Sequence, residues 1–109
     1  MCHQEIERMK SHRLSDKQLA QALETLHGWE VRGSVLHKDF HFTTFAAAIG
    51  WMVSVAFHAE RLNHHPEWIN VYNRVSVDLV THDLGNVISN LDLELAKQMD
   101  LLKSSTTEG

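Results

Sequence analysis

The 109-residue sequence has one cysteine, one proline and five glycines, and each scarcity closes off a class of protein. Cys2 has no partner for an intrachain disulfide, which fits a reducing compartment. The glycines stand singly, without the clustered pattern that cradles phosphates. No serine lies in a nucleophile elbow, and the lone thiol sits near the start of the chain, so nucleophilic catalysis has little to work with. A His-Glu-x-x-His sequence and a cysteine cluster are both missing; no structural or catalytic metal is expected. Ten Lys and Arg against fourteen Asp and Glu leave a net charge of −4, which argues against a face that tracks nucleic-acid phosphates. Trp29, Trp51 and Trp68 therefore read as core or pocket-wall residues rather than a stacking platform for bases. No apolar stretch is long enough to span a bilayer, and the first twelve residues hold no apolar leader core. The expectation is one cytoplasmic domain over residues 1–109, with residues 1–11 and 103–109 flexible.

What the chain has in quantity is histidine, nine in all, and the arrangement of three of them is its most informative feature. The run Glu60-Arg-Leu-Asn-His64-His65-Pro66-Glu67-Trp68 is followed by His82 sixteen residues after Pro66. Proline fixes its own φ and pushes the preceding residue out of the α region, so a helix must end here with imidazoles at its tip.

Hydrophobic periodicity places this corner in a fold. Ser15 suits the N-cap of a helix bearing Leu19, Ala22, Leu23 and Leu26, stopped by Gly28. Trp29–Val31 and Val35–Phe42 flank the turn Arg32-Gly33-Ser34 as a hairpin. In its second strand Leu36, Lys38, Phe40 and Phe42 share one face, and His37, Asp39 and His41 share the solvated other. Thr43 or Thr44 caps a helix whose stripe is Phe45, Ile49, Met52, Val53 and Ala56, ending near Asn63. A second hairpin follows over Glu67–Tyr72 and Arg74–Thr81, with Val75, Val77 and Leu79 at period two. Ser89-Asn-Leu-Asp92 forms a capping box for a last helix bearing Leu91, Leu95, Met99 and Leu102. The order α-β-β-α-β-β-α predicts an α+β class: a four-stranded antiparallel sheet with three helices packed on one face.

Histidine titrates closest to neutrality, so several imidazoles in one pocket can both donate and accept protons at working pH. Glu60 precedes His64 at the i, i+4 spacing that lets a carboxylate orient or charge an imidazole. His82 joins them only if the second hairpin folds back beside the helix end. A plainer reading has His64 and His65 merely ending the helix, where cations favour the dipole. Glu60 with the histidines as metal ligands is a third, and His37, Asp39 and His41 could chelate on their strand face, although a solvated face explains that alternation better.

With these residues in place, the sequence resembles the pterin-4a-carbinolamine dehydratases, also called 4a-hydroxytetrahydrobiopterin dehydratases. The resemblance centres on Glu60-x-x-x-His64-His65-Pro66, Tyr72 after five residues, His82 after nine more, and Asp92 downstream. It extends through His12-Arg-Leu-Ser15, Gly28-Trp29, Phe40-His-Phe42, Phe45 and Pro66–Asn73, covering residues 12–102. It implies loss of water from 4a-hydroxytetrahydropterin to give quinonoid dihydropterin, in recycling the cofactor of aromatic amino acid hydroxylases. No metal or organic cofactor is needed. It implies a homodimer or homotetramer, with His64, His65 and His82 lining a pterin site. His64 and His82 are expected to move protons, His65 to hold the pterin, Glu60 to tune His64, and Asn63, Val80 and Thr81 to add substrate contacts. Asp92 is expected mainly as a cap. The loop Asp83–Ile88 is one residue longer than the usual family spacing. Some animal members also serve as dimerisation cofactors of a homeodomain transcription factor, so a protein-binding or scaffold role, with nuclear localisation, stands as the alternative.

Overall fold

The computed structural model describes residues 10–104. Its elements are α1 (Asp16–Leu23), β1 (Glu30–Arg32), β2 (Val35–His41), α2 (Phe45–Leu62), β3 (Glu67–Val71), β4 (Arg74–Leu79), a 3-10 turn (His82–Leu84) and α3 (Asn90–Ser104). The expected α-β-β-α-β-β-α order and antiparallel sheet are both present. Cys2 and the segments 1–9 and 105–109 lie outside the described residues. Lys103 and Ser104 continue α3, and the Lys10 carbonyl accepts a hydrogen bond from Asn90 Nδ2 at 2.9 Å.

Local chemistry accounts for the boundaries. Ser15 and Gln18 close a reciprocal capping box at the start of α1, satisfying donors that have no partner within the helix. Thr44 caps α2 by accepting from the Ala47 amide at 3.0 Å. Two-residue turns close both hairpins, with Gly33 at φ 60° in the first and Tyr72 at φ 53° in the second. A tyrosine is strained in this left-handed region, and Asn70 Nδ2 braces it by donating to the carbonyls of Tyr72 and Arg74.

The sheet order is β1-β2-β4-β3. Leu36 pairs with Leu79 and Phe40 with Val75 across the two central strands, and these four side chains are buried. Trp51 of α2 fills the space above them, its ring 4.5 Å from Phe40, 5.3 Å from Phe42 and 6.1 Å from Trp68. Its Nε1 donates to the Met99 carbonyl of α3 at 3.1 Å, so one residue ties both long helices to the sheet. No helix among the described residues is long and apolar enough to cross a membrane.

The first helix ends at Leu23 with Glu24 as its C-cap, short of the expected Leu26 and Gly28, and two further sequence expectations change here. The stripe expected to bury α2 lies mostly outward: Phe45, Ile49, Val53 and Ala56 are not buried and Met52 is half-buried, while Ala48, Trp51, Val55 and Ala59 face the core. This helix is apolar on two sides, and the small Ala48 and Ala59 let its backbone approach the sheet beside Trp51. The second change is at His37, only 8% exposed on the face expected to be solvated. Its Nδ1 meets Asp78 Oδ1 at 2.6 Å, and its Nε2 lies 3.3 Å from Asp39 Oδ1.

Candidate active site

The end of α2 places the first two histidines. Asn63 takes the left-handed conformation (φ 51°, ψ 44°). Its amide then bonds the Glu60 carbonyl and the His64 amide bonds the Ala59 carbonyl, a Schellman closure that satisfies the last helical acceptors. Because the chain reverses hand at Asn63, His64 leaves the helical face it would share with Glu60. Glu60 Oε2 instead meets His65 Nε2 at 2.7 Å.

His64 turns inward. Its Nε2 lies 2.5 Å from Oδ1 of Asp92, a residue with no solvent exposure. The other oxygen, Oδ2, accepts from the Ser89 amide and the Thr81 hydroxyl, both at 2.8 Å. Ser89 Oγ accepts from the Leu91 amide at 3.1 Å, completing the capping interaction at the start of α3. Asp92 therefore caps a helix and holds a site histidine with the same carboxylate.

The second hairpin does fold back beside the helix end. Thr81 pairs with Val87, closing a loop in which Gly85 (φ 89°) and Asn86 (φ 63°) are consecutive left-handed residues. Within it His82 Nδ1 meets Asn86 Oδ1 at 2.6 Å, and His82 Nε2 meets Glu67 Oε2 at 2.8 Å. Those two acceptors, the Asn86 amide oxygen first and the Glu67 carboxylate second, raise the His82 pKa above its ordinary 6.5.

A cleft of about 200 Å³ joins these pieces. Asn63, His64, His65, Val80, Thr81 and His82, the six expected substrate contacts, all line it, together with Ser11, Asp83 and Leu91. Glu60 does not line it and reaches it through His65. Sequence reading did not single out Ser11, Asp83, Asn86 or Glu67. Position beside Pro66 and His82 hinted at Glu67 and Asp83, Asn86 lies in the lengthened loop Asp83–Ile88, and Ser11 carried no signal. A larger hollow of about 390 Å³ between β2 and the end of α3 is less promising, because its Lys38 is already bound to Asp100 and the His27 carbonyl. Among the described residues no three His, Cys, Asp or Glu side chains are grouped to hold a metal ion.

Each of the three histidines thus meets a carboxylate through Nε2: His64 with Asp92, His65 with Glu60, His82 with Glu67. The pattern of the family described as Pterin 4 alpha carbinolamine dehydratase matches residues 12–102. The chain belongs to the pterin 4 alpha carbinolamine dehydratase family. A relative from Jannaschia sp., provisionally named a pterin-4-alpha-carbinolamine dehydratase, is 48% identical over 96 residues, covering 84% of this chain and 97% of its own. One from Solibacter usitatus with the same provisional name is 42% identical over 90 residues, covering 83% and 94%. A crystal structure from Brucella Melitensis, described as a transcriptional coactivator/pterin dehydratase, superposes with a TM-score of 0.80 at 40% identity, covering 84% of this chain and 99% of that one. A pterin dehydratase-like protein described as a RuBisCO assembly factor in the alpha-carboxysome shares the fold alone, with a TM-score of 0.61 at 24% identity over 72% of this chain and 93% of that one.

Proposed function

We propose that this member of the pterin 4 alpha carbinolamine dehydratase family removes water from 4a-hydroxytetrahydrobiopterin, or a related 4a-hydroxytetrahydropterin, to give quinonoid dihydropterin. The convergence of three carboxylate-backed imidazoles on one cleft carries this reading. The reaction breaks the C4a–O bond and an N5–H bond and forms C4a=N5. One group must protonate the departing hydroxyl so that it leaves as water, and another must take the N5 proton.

The two environments divide these tasks. His82, whose two nitrogens meet two acceptors, is the acid. His64 has its Nε2 engaged by the buried Asp92, which leaves Nδ1 as the nitrogen able to accept a proton, and the carboxylate stabilises the imidazolium that results. His64 is accordingly the base at N5. Net proton count is unchanged over the turnover, and exchange with water restores both rings. His65, held by Glu60, contacts the pterin, with Asn63, Val80 and Thr81 supplying neighbouring groups. No cofactor enters the scheme. In this role the protein acts in the cytoplasm, regenerating the pterin of aromatic amino acid hydroxylases.

The outward apolar stripe of α2 favours a second property. Phe57 is 68% exposed, in line with the exposed Phe45, Ile49 and Val53, and contiguous exposed apolar surface marks association sites. A homodimer or homotetramer would cover it. The same surface is where a protein-binding role, as a coactivator or assembly scaffold, would reside.

Stopped-flow dehydration of synthetic 4a-hydroxytetrahydropterin tests the reading. The protein is expected to accelerate the reaction over buffer, and His64→Ala and His82→Ala each to lose about 10²- to 10⁴-fold in rate. No acceleration by the unmodified protein would defeat it.

A further inference from the structure

We propose that Glu67, the first residue of β3, is a positioning residue that holds His82 Nε2 and thereby commits the Nδ1 proton of that ring to the departing hydroxyl. The inference rests on the dehydratase reading and adds a residue and a specific atom to it.

Three observations lead there. The first is the shared pattern of the site: Asp92, Glu60 and Glu67 all engage their histidines at Nε2, so Nδ1 is the nitrogen left for chemistry in His64 and His65. His82 differs only in that its Nδ1 is occupied too, by Asn86 Oδ1. The ring satisfies both oxygens at once only when it carries both protons, which is the acid form.

The second is the unequal strength of the two contacts. Both bonds gain from the charged ring as donor, and the Asn86 contact is the shorter at 2.6 against 2.8 Å, but only the Glu67 carboxylate adds the attraction of a full opposite charge. When a substrate hydroxyl enters the cleft, the neutral Asn86 amide is the partner that yields. Glu67 keeps its hold, and the ring pivots about an anchored Nε2 while Nδ1–H is transferred. The C4a–O electron pair leaves with that proton as water, and His82 is left as the Nε2–H tautomer, the one Glu67 stabilises.

The third is why Glu67 is free to do this. It stands opposite Asp78 in the β3–β4 register, and two like charges directly opposed repel. Asp78 is turned to His37 on the neighbouring strand at 2.6 Å, leaving Glu67 to face His82. The other charged or titratable groups around His82 are Asp83, next in the chain and adding to the positive shift, and His64 and His65 across the cleft. As an exposed ion pair the Glu67–His82 contact adds little to stability. Its consequence is for protonation and orientation.

The test compares the unmodified protein with Glu67→Gln and Glu67→Asp in two measurements: the pH profile of kcat, and the titration of His82 followed through its ring nitrogens by NMR. Glu67→Gln is expected to lower the His82 titration midpoint, to carry the alkaline limb of the kcat profile down with it, and to lose about two- to fivefold in kcat at pH 8, the range an exposed ion pair supports, while KM changes much less. Neutral His82 in the unmodified protein should appear as the Nε2–H tautomer, and Glu67→Asp should recover part of the kcat at pH 8. A Glu67→Gln protein that dehydrates with an unmoved pH profile, or a neutral His82 protonated on Nδ1, overturns the assignment while leaving the dehydratase reading intact. Absence of dehydration by the unmodified protein overturns both.

Discussion

Asp92 and His64 meet at 2.5 Å across the seam between α3 and the end of α2, with the carboxylate closed to solvent. The carboxylate also accepts from Thr81 and from the Ser89 amide, so a group that starts a helix is the group that fixes the ring of a proposed base. Removing one member of a buried pair strands the other, at a cost of about 3–5 kcal/mol. Asp92→Ala is expected to lose stability on that scale in urea unfolding. Asp92→Asn keeps the shape but not the charge, and should cost about 1–3 kcal/mol together with a larger loss of dehydration rate than of substrate affinity.

Asn63 allows a sharper test of how the site is positioned. Its left-handed φ is tolerated by Asn and Gly and penalised in a β-branched residue by about 1–2 kcal/mol. Asn63→Gly should retain the melting temperature within a few degrees, whereas Asn63→Val should lower both stability and dehydration rate. Equal behaviour of the two variants would show that the reversal of hand at this residue does not set His64.

The His82 contacts have a thermodynamic counterpart with a defined sign. Its folded-state pKa is raised above the ordinary 6.5, so the folded state binds the proton more tightly than the unfolded chain. The stability this contributes is fully present below pH 6.5 and is lost as pH rises through the raised folded value. The difference in melting temperature between the unmodified protein and Glu67→Gln should therefore be largest near pH 6 and shrink on the alkaline side. A difference that grew with pH would contradict the arrangement.

The outward face of α2 predicts a separation of stability from assembly. Phe57→Glu and Val53→Glu alter exposed positions and should change the unfolding free energy by no more than about 0.5 kcal/mol per folded chain, while lowering the solution mass measured by light scattering. Leu95→Ala, at a fully buried position, should instead cost about 2–5 kcal/mol.

Local signals in the sequence were enough for most of the fold. Ser15 as a cap, Gly33 in its turn, Pro66 after the paired histidines and Ser89 with Asp92 each act within a few residues and mark their boundaries as expected, whereas Gly28 does not stop the first helix, which has already ended at Leu23. The rotation of α2 was not legible, because periodicity cannot choose between two apolar sides when Trp51 and two alanines compete with Phe45, Ile49 and Val53. Six expected contacts meet in the cleft since the hairpin order brings Val80–His82 to Asn63–His65. The pairing within it was harder to read. An i, i+4 rule assigns Glu60 to His64 only if the helix continues, and Asn63 ends it. Glu67 with His82, and Asp92 with His64, are contacts between elements 15 and 28 positions apart, which spacing along a chain does not encode.

β3 is an edge strand, and it carries Glu67 at one end and exposed Ile69 and Val71 along its length. Any chain that extends the sheet there immobilises the backbone from which Glu67 reaches His82. Occupancy of that border and proton affinity in the cleft are then linked quantities.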